Sequence, residues 1–413
     1  MNQPFMSSQT AREHHPAASP ASRAEIHKPV LKVLGLGGGG TNAVNRMIEL
    51  GLSGVDFIAA NTDHQALKSS LAPVKIQLGP KATRGLGAGG NPAVGQAAAE
   101  ESWREIYAAL KGADMVFLTA GMGGGTGTGS IPVAAKIART LGAVTIAVVS
   151  TPFSFEMGKR QRNAQEGLAR LRPVTNTLIT IPNDRLLYLE TRNMPLEMAF
   201  RMADDVLRQG VQGITELITT PGLINVDFAN IRHLMTLGGG ALMSIGQGEG
   251  ENKAIQAINQ ALHHPLLEVG TLDHAAGILV NFTCGEDLSL FEIQDALTYL
   301  QAQAGPQAEI VMGVVNDERF YDRVEVILIV TGLGARPIEE ALPGFSRQNT
   351  KAPALKESEA PNASSKEPSP ALASSKTEPE TVAAGAPTPL VSPLSSNNLD
   401  IPAFLRRMHN PGS

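Results

Sequence analysis

The residues of this chain best placed to do chemistry stand at 121–129, where glycines are interrupted by Met122, Thr126 and Thr128. An apolar stretch at 114–119 precedes the run, and a helical pattern beginning near Ser130 follows it. A strand feeding a glycine turn that opens a helix is suited to holding phosphate. Glycine lets backbone N–H groups approach an anion closely, and the helix N-terminus adds partial positive charge. Thr126 and Thr128 add hydroxyl donors. The run contains no lysine, so it is not the G-x-x-x-x-G-K-[ST] phosphate loop. Glycine clusters also occur in flexible linkers, but linkers do not usually sit between a buried strand and an amphipathic helix.

A second cluster, Gly35-Leu36-Gly37-Gly38-Gly39-Gly40, satisfies G-x-G-x-x-G after a strand. Asp63 lies downstream at about the distance of a ribose-binding acid. Alone, this reads as the dinucleotide fingerprint of a nicotinamide-dependent oxidoreductase. Two phosphate-cradling loops in one sheet suit a nucleoside triphosphate better.

The elements that must position these loops alternate. Strands are expected at 30–34, 55–60, 74–78, 114–119, 143–150 and 177–181, with helices at 41–50, 92–110, 130–141 and 156–171. Apolar strands between amphipathic helices predict an α/β fold with a mostly parallel sheet covered on both faces. From Leu196 to Ile218 apolar residues recur at steps of three and four. This predicts a single helix of about 36 Å, stopped at Pro221-Gly222. It reads as a strut between two domains or as a long core helix, which periodicity alone does not separate. A smaller α/β unit follows, with strands at 239–246, 277–283, 309–315 and 324–331 and helices at 228–237, 251–263 and 287–303.

Composition narrows the function. A net charge of −5 gives no footing for bulk nucleic-acid binding. The single cysteine, Cys284, excludes an intramolecular disulfide and a cysteine-rich metal site. Residues 1–28 lack the apolar core of a signal peptide, and no apolar run approaches the roughly 18 residues that span a bilayer. A cytoplasmic protein that does not insert in the membrane is expected.

Taken together, these segments resemble the tubulin/FtsZ superfamily. The glycine signature at 121–129 carries most of the resemblance. Asn61-Thr62-Asp63, Gly85-Leu86-Gly87-Ala88-Gly89, Pro152-Phe153-Ser154-Phe155-Glu156, Ile181-Pro182-Asn183-Asp184 and Asn225-Val226-Asp227-Phe228-Ala229 agree with it. The resemblance covers about residues 30–335 and resumes at 399–407. It implies a GTP-binding domain at 29–195, a connecting helix at 196–221 and a polymerisation domain at 222–335, flanked by disordered segments at 1–28 and 336–398. The bound species would be GTP or GDP with Mg2+, and no metal site made of protein side chains alone is expected. Gly38, Gly39, Gly40, Thr41 and Asn42 would wrap the nucleotide from the first loop. Gly124, Gly125, Thr126 and Gly127 would hold the β- and γ-phosphates. Glu156 and Arg160, four apart on one helix face, would contact ribose and phosphate; otherwise they are an ordinary surface ion pair. Phe200 would stack on guanine, while Asn183 and Asp205, helped by Asp204, read its N1 and 2-amino edge.

In this family the loop after the long helix reaches the nucleotide of the neighbouring subunit. Here the loop supplies Asp227, but Asn230 stands where the family usually has aspartate. An amide can orient water but cannot accept its proton, a loss of roughly 10²-fold or more in turnover. Two expectations therefore stand: a slow, assembly-dependent GTPase of the bacterial division ring at mid-cell, or a GTP-binding structural paralogue with little hydrolysis. Thr41, where relatives often have glycine, and Ala93, where they often have glutamate, are further departures. The segment 399–407 resembles the family's anchoring peptide. Asp400, Ile401, Pro402, Phe404, Leu405 and Arg406 would there dock membrane-tethered division proteins. The other partner is the chain itself, in head-to-tail filaments.

Overall fold

The computed structural model describes residues 28–333, except 157, 189–193, 221, 268–271, 273–274 and 305–307. The segments at 336–398 and 399–407, and with them the docking residues, lie outside the described residues, as do Pro221 and all but the last residue of 1–28.

The first half alternates as its apolar runs require. The elements are β1 (Leu31–Leu36), α1 (Gly37–Glu49), β2 (Asp56–Asn61), α2 (His64–Lys68), β3 (Val74–Gln77), α3 (Pro80–Thr83), α4 (Pro92–Glu101) and α5 (Trp103–Leu110). They continue with β4 (Met115–Gly121), α6 (Thr126–Thr140), β5 (Val144–Thr151), α7 (Lys159–Leu171), β6 (Thr177–Pro182) and α8 (Asn183–Leu186). The second half comprises α9 (Leu196–Thr219), α10 (Phe228–Thr236), β7 (Gly240–Glu249), α11 (Lys253–Leu262), β8 (Gly277–Cys284), α12 (Leu290–Ala304), β9 (Glu309–Asn316) and β10 (Arg323–Leu333).

All the strands join one ten-stranded sheet in the order β3-β2-β1-β4-β5-β6-β7-β10-β8-β9. Only β10 runs antiparallel to its neighbours, so the sheet is mixed and mostly parallel. The join between the halves is narrow: β6 meets β7 only through Leu178–Gly240 and Ile179–Ala241. α9 bridges this seam. A Cβ placed on Gly210 would lie 3.0 Å from Met243 Sδ of β7 and 3.2 Å from Val148 Cγ1 of β5. One on Gly213 would lie 2.9 Å from Ile327 of β10. One apolar cluster contains Val148, Val211, Met243 and Ile327 together, so the long helix acts as a strut whose buried face is shared by both halves.

Several boundaries differ from those read in the sequence. α1 and α6 begin inside the glycine loops, at Gly37 and Thr126 rather than Thr41 and Ser130, because their glycines form the first helical turns. The helix expected over 92–110 is broken at Ser102, whose side chain accepts a hydrogen bond from Gly79 N (3.0 Å) and donates one to Gln77 O (3.2 Å). A serine hydroxyl that bonds backbone elsewhere competes with helix continuation. The helix expected from 156 begins at Lys159, with Ser154–Glu156 forming a separate 3-10 turn.

Candidate functional site: two helix N-termini and a distant acid

The two glycine loops interlock. A Cβ on Gly40 would stand 2.2 Å from Thr119 O, one on Gly39 3.0 Å from Gly121 N, and one on Gly125 2.7 Å from Asn91 N. Gly37 combines φ +69° with a gap of 2.7 Å to Gly127 N, so both its conformation and its space require glycine. Gly38 and Gly124 are different, because a Cβ there would meet nothing within 4 Å. The loops are therefore packed backbone to backbone, and these two glycines face the open space. Neither α1 nor α6 has a side-chain cap or an acidic residue in its first turn. Two uncapped N-termini held against one another leave N–H donors and partial positive charge for an anion.

Of the two threonines in the second loop, Thr128 is fully buried and its hydroxyl accepts from Gly123 N (2.8 Å). That bond shapes the loop, so the expectation of two ligand donors reduces to Thr126, which is half-buried. In the first loop Thr41 is buried with no partner for its hydroxyl, and Asn42 is exposed beside it. Asn163 Nδ2 donates to both Gly90 O (3.2 Å) and Gly123 O (3.1 Å), tying the loop at 84–90 to the phosphate loop.

Beyond these loops lies an aromatic group. Phe153 stacks on Phe155 with centroids 5.1 Å apart and meets Phe200 edge-on at 5.5 Å. Ser154 N donates to Asp184 Oδ1 (2.8 Å), which fixes this turn against α8. Phe200 keeps 39 % of its surface exposed, enough to receive a planar ring. Asn183, buried at the start of α8, has no partner for its Oδ1 among the described residues. Glu156 accepts from Phe153 N (3.0 Å) and pairs with Arg160. The Glu156 side chain is only 9 % exposed against 57 % for Arg160, so this is no ordinary surface pair.

The two aspartates on α9 differ in their surroundings. Asp205 is committed to Arg208 Nε (2.7 Å), with Arg46 Nε at 3.9 Å. Asp204, one turn beyond Phe200, is half-buried, and burial pushes its carboxyl up to about 7 against the opposing pull of Arg46. Asp205 thus has an ion-pair partner within the chain, and burial holds the Asp204 carboxyl above its usual range.

Asp227 and Asn230 lie elsewhere. Both are exposed at the head of α10, where Asp227 caps the helix by accepting from Ala229 N (3.4 Å). Their loop is fixed to the edge of the sheet by the Ile224–Val314 bridge. Phe200 is the fifth residue of the 24-residue α9 and Asp204 the ninth, and Asp227 lies beyond its end, so about 28 Å of helix runs from Phe200 to Thr219. The structure brings the phosphate-facing loops together and leaves this pair outside them.

The comparisons agree with this geometry. Residues 30–190 match the model described as the Tubulin/FtsZ family, GTPase domain, and residues 239–334 match the FtsZ family, C-terminal domain. The solved structure of an empty FtsZ dimer from M. jannaschii is 46% identical, with 76% of this chain and 90% of that one covered at a TM-score of 0.72. The chain belongs to the FtsZ family. Its GTPase domain implies guanine-nucleotide binding. The GTPγS-bound protofilament of CetZ2 from Haloferax volcanii shares the FtsZ fold at 20% identity, with a TM-score of 0.63 over 76% of this chain and 96% of that one.

Reading the sequence as FtsZ-like left two features of the site unassigned. One is the stack of Phe153 on Phe155, signalled only by their spacing in Pro152–Glu156. The other is Thr62, whose hydroxyl lies 2.6 Å from that of Thr126 and which no periodicity marks.

Proposed function

We propose that the chain binds GTP between its two glycine loops, polymerises head to tail, and hydrolyses GTP where successive copies meet. The carrying observation is the length of α9 between the phosphate-facing loops and Asp227. About 28 Å of helix separates Phe200 from the end of α9, so a side chain beyond that end does not reach a nucleotide stacked on Phe200 of its own chain, and a second copy would present it. The relatives point the same way: one is an FtsZ dimer, the other a CetZ2 protofilament. A contact between two different faces does not close on itself and builds a filament.

At such a contact, water attacks the γ-phosphorus and the bond to the β–γ bridging oxygen breaks, giving GDP and phosphate. Asp227 of the incoming copy orients the water and accepts its proton, while Asn230 orients it through the amide oxygen only. The uncapped N–H groups of α1 and α6 and the hydroxyl of Thr126 face the charge that develops on phosphate. Phe200 carries the base, with Asn183 and Asp205, helped by Asp204, on its donor edge. Among the described residues no group of three or more His, Cys, Asp or Glu is placed to hold a metal ion. Mg2+ would be held by the phosphate oxygens and would offset their charge.

The cellular role we propose is the scaffold of the bacterial division ring, in the cytoplasm at mid-cell. Ile401, Phe404, Leu405 and Arg406 would bind membrane-tethered division proteins. A second reading, a GTP-binding structural paralogue, is favoured by the neutral Asn230. GTP turnover measured against protein concentration, with sedimentation of the same samples, separates the two. A rate per subunit that switches on together with pelletable polymer supports the GTPase, and polymer without turnover supports the paralogue. Neither polymer nor turnover overturns both.

A further inference from the structure

We propose that Thr62 is a positioning residue for phosphate binding, acting through Thr126; the inference rests on the nucleotide reading above. Thr62 follows β2, is fully buried, and places its Oγ1 2.6 Å from the Oγ1 of Thr126, the first residue of α6. It is held firmly in that place. Its carbonyl oxygen accepts from Gln77 Nε2 (3.0 Å) and Gly87 N (3.3 Å). Thr126 stands close to the first loop: a Cβ added to Gly37 would lie 3.2 Å from the Thr126 Cβ.

Each hydroxyl has one proton and two lone pairs, so within the pair one donates and the other keeps its proton for a different partner. Among the described residues Thr126 is the only partner of the Thr62 hydroxyl, and Thr62 is closed to solvent. Thr126 is half-buried and stands at the mouth between the glycine loops. The arrangement that wastes no proton has Thr62 donating to Thr126 and the Thr126 O–H turned outward. A phosphate oxygen offers lone pairs only and selects that arrangement: Thr126 donates to phosphate while accepting from Thr62. Hydroxyls in series polarise one another, which strengthens the outer bond. A phosphate site that has no lysine in its glycine loop depends on neutral donors being aimed in advance.

The test is calorimetric titration of GDP and GMP into the full chain, for wild type, Thr62→Val, Thr62→Ser, Thr126→Val and the double variant Thr62→Val/Thr126→Val. Losing one oriented hydrogen bond predicts that Thr62→Val binds GDP about three- to tenfold more weakly, with GMP, which lacks the outer phosphates, changed less than about twofold. Thr62→Ser should restore GDP binding, and the double variant should bind no more weakly than Thr126→Val alone. Thr62→Ala removes the same hydroxyl should the valine variant fold poorly. Wild-type affinity for GDP in the hydroxyl-free variants would overturn the proposal, and so would equal weakening of GDP and GMP, the mark of a merely structural role. A wild-type chain that binds neither nucleotide would instead overturn the reading beneath it.

Discussion

Asn230 is one atom type away from an aspartate, and at this position that difference decides between orienting water and deprotonating it. Restoring the acid with Asn230→Asp should raise GTP turnover by about 10- to 100-fold at saturating protein. An unchanged rate in a steady-state phosphate-release assay would show that Asp227 alone suffices. Asp204 supports a prediction of a different kind. Its carboxyl titrates near 7 in the unliganded protein, above the ordinary value of 3.8, because burial disfavours its charge. The donors of guanine need the ionised form, so GDP affinity should fall as pH drops from about 8 to 6, approaching tenfold per unit below the midpoint. Asp204→Asn should flatten that dependence in a fluorescence titration. Stability of the free protein moves the opposite way. The folded state holds the Asp204 proton more tightly than the unfolded chain, so this contribution is full below 3.8 and is lost as pH rises through about 7.

At the scale of elements, Ser102 ends one helix and starts another by satisfying Gly79 N and Gln77 O. Ser102→Ala leaves that buried N–H unpaired and should cost about 1–3 kcal/mol, read from the urea midpoint. α9 carries a polar stripe as well as its apolar one. Arg208, Gln212 and Glu216 line a cleft of about 780 Å³ opposite Gln247, Arg323 and Glu325, with Arg319 at its margin. Burial chiefly, and then the facing Glu325, raises the pKa of Glu216, against the bonds from Gln212 and Asn281 and the charge of Arg208. Stability from this group is therefore lost as pH rises through its raised pKa. Glu216→Gln should melt about 1–3 °C higher than wild type near pH 8, with a smaller gain near pH 5.5; a pH-independent difference by scanning calorimetry would contradict this account. These element-scale facts separate what was legible from what was not. The glycine loops, the parallel strands and the length of α9 were legible because local spacing determines them. The helix break at Ser102 was not, since it depends on Gly79, a loop away. Nor were the differing surroundings of Asp204 and Asp205, because Arg46, on α1, takes part in both.

The molecule as a whole carries Phe200 near one end of α9 and Asp227 beyond the other. This predicts complementation between defective copies. A chain with Asp227→Ala binds GTP but presents no acid, and a chain with Gly40→Trp presents the acid but has its first loop wedged against Thr119. Each alone should be nearly inactive, and an equimolar mixture should recover turnover in a phosphate-release assay. A mixture no more active than its parts would place the chemistry within one chain.

The length of α9 also has an arithmetic consequence. If every reaction centre is shared between neighbours, a strand of n copies contains n − 1 centres, and the last nucleotide has no acid above it. That terminal GTP would survive however old the strand became. Short strands would therefore burn less fuel per copy than long ones, and each strand would have a direction, with one end wearing nucleotide and the other wearing Asp227.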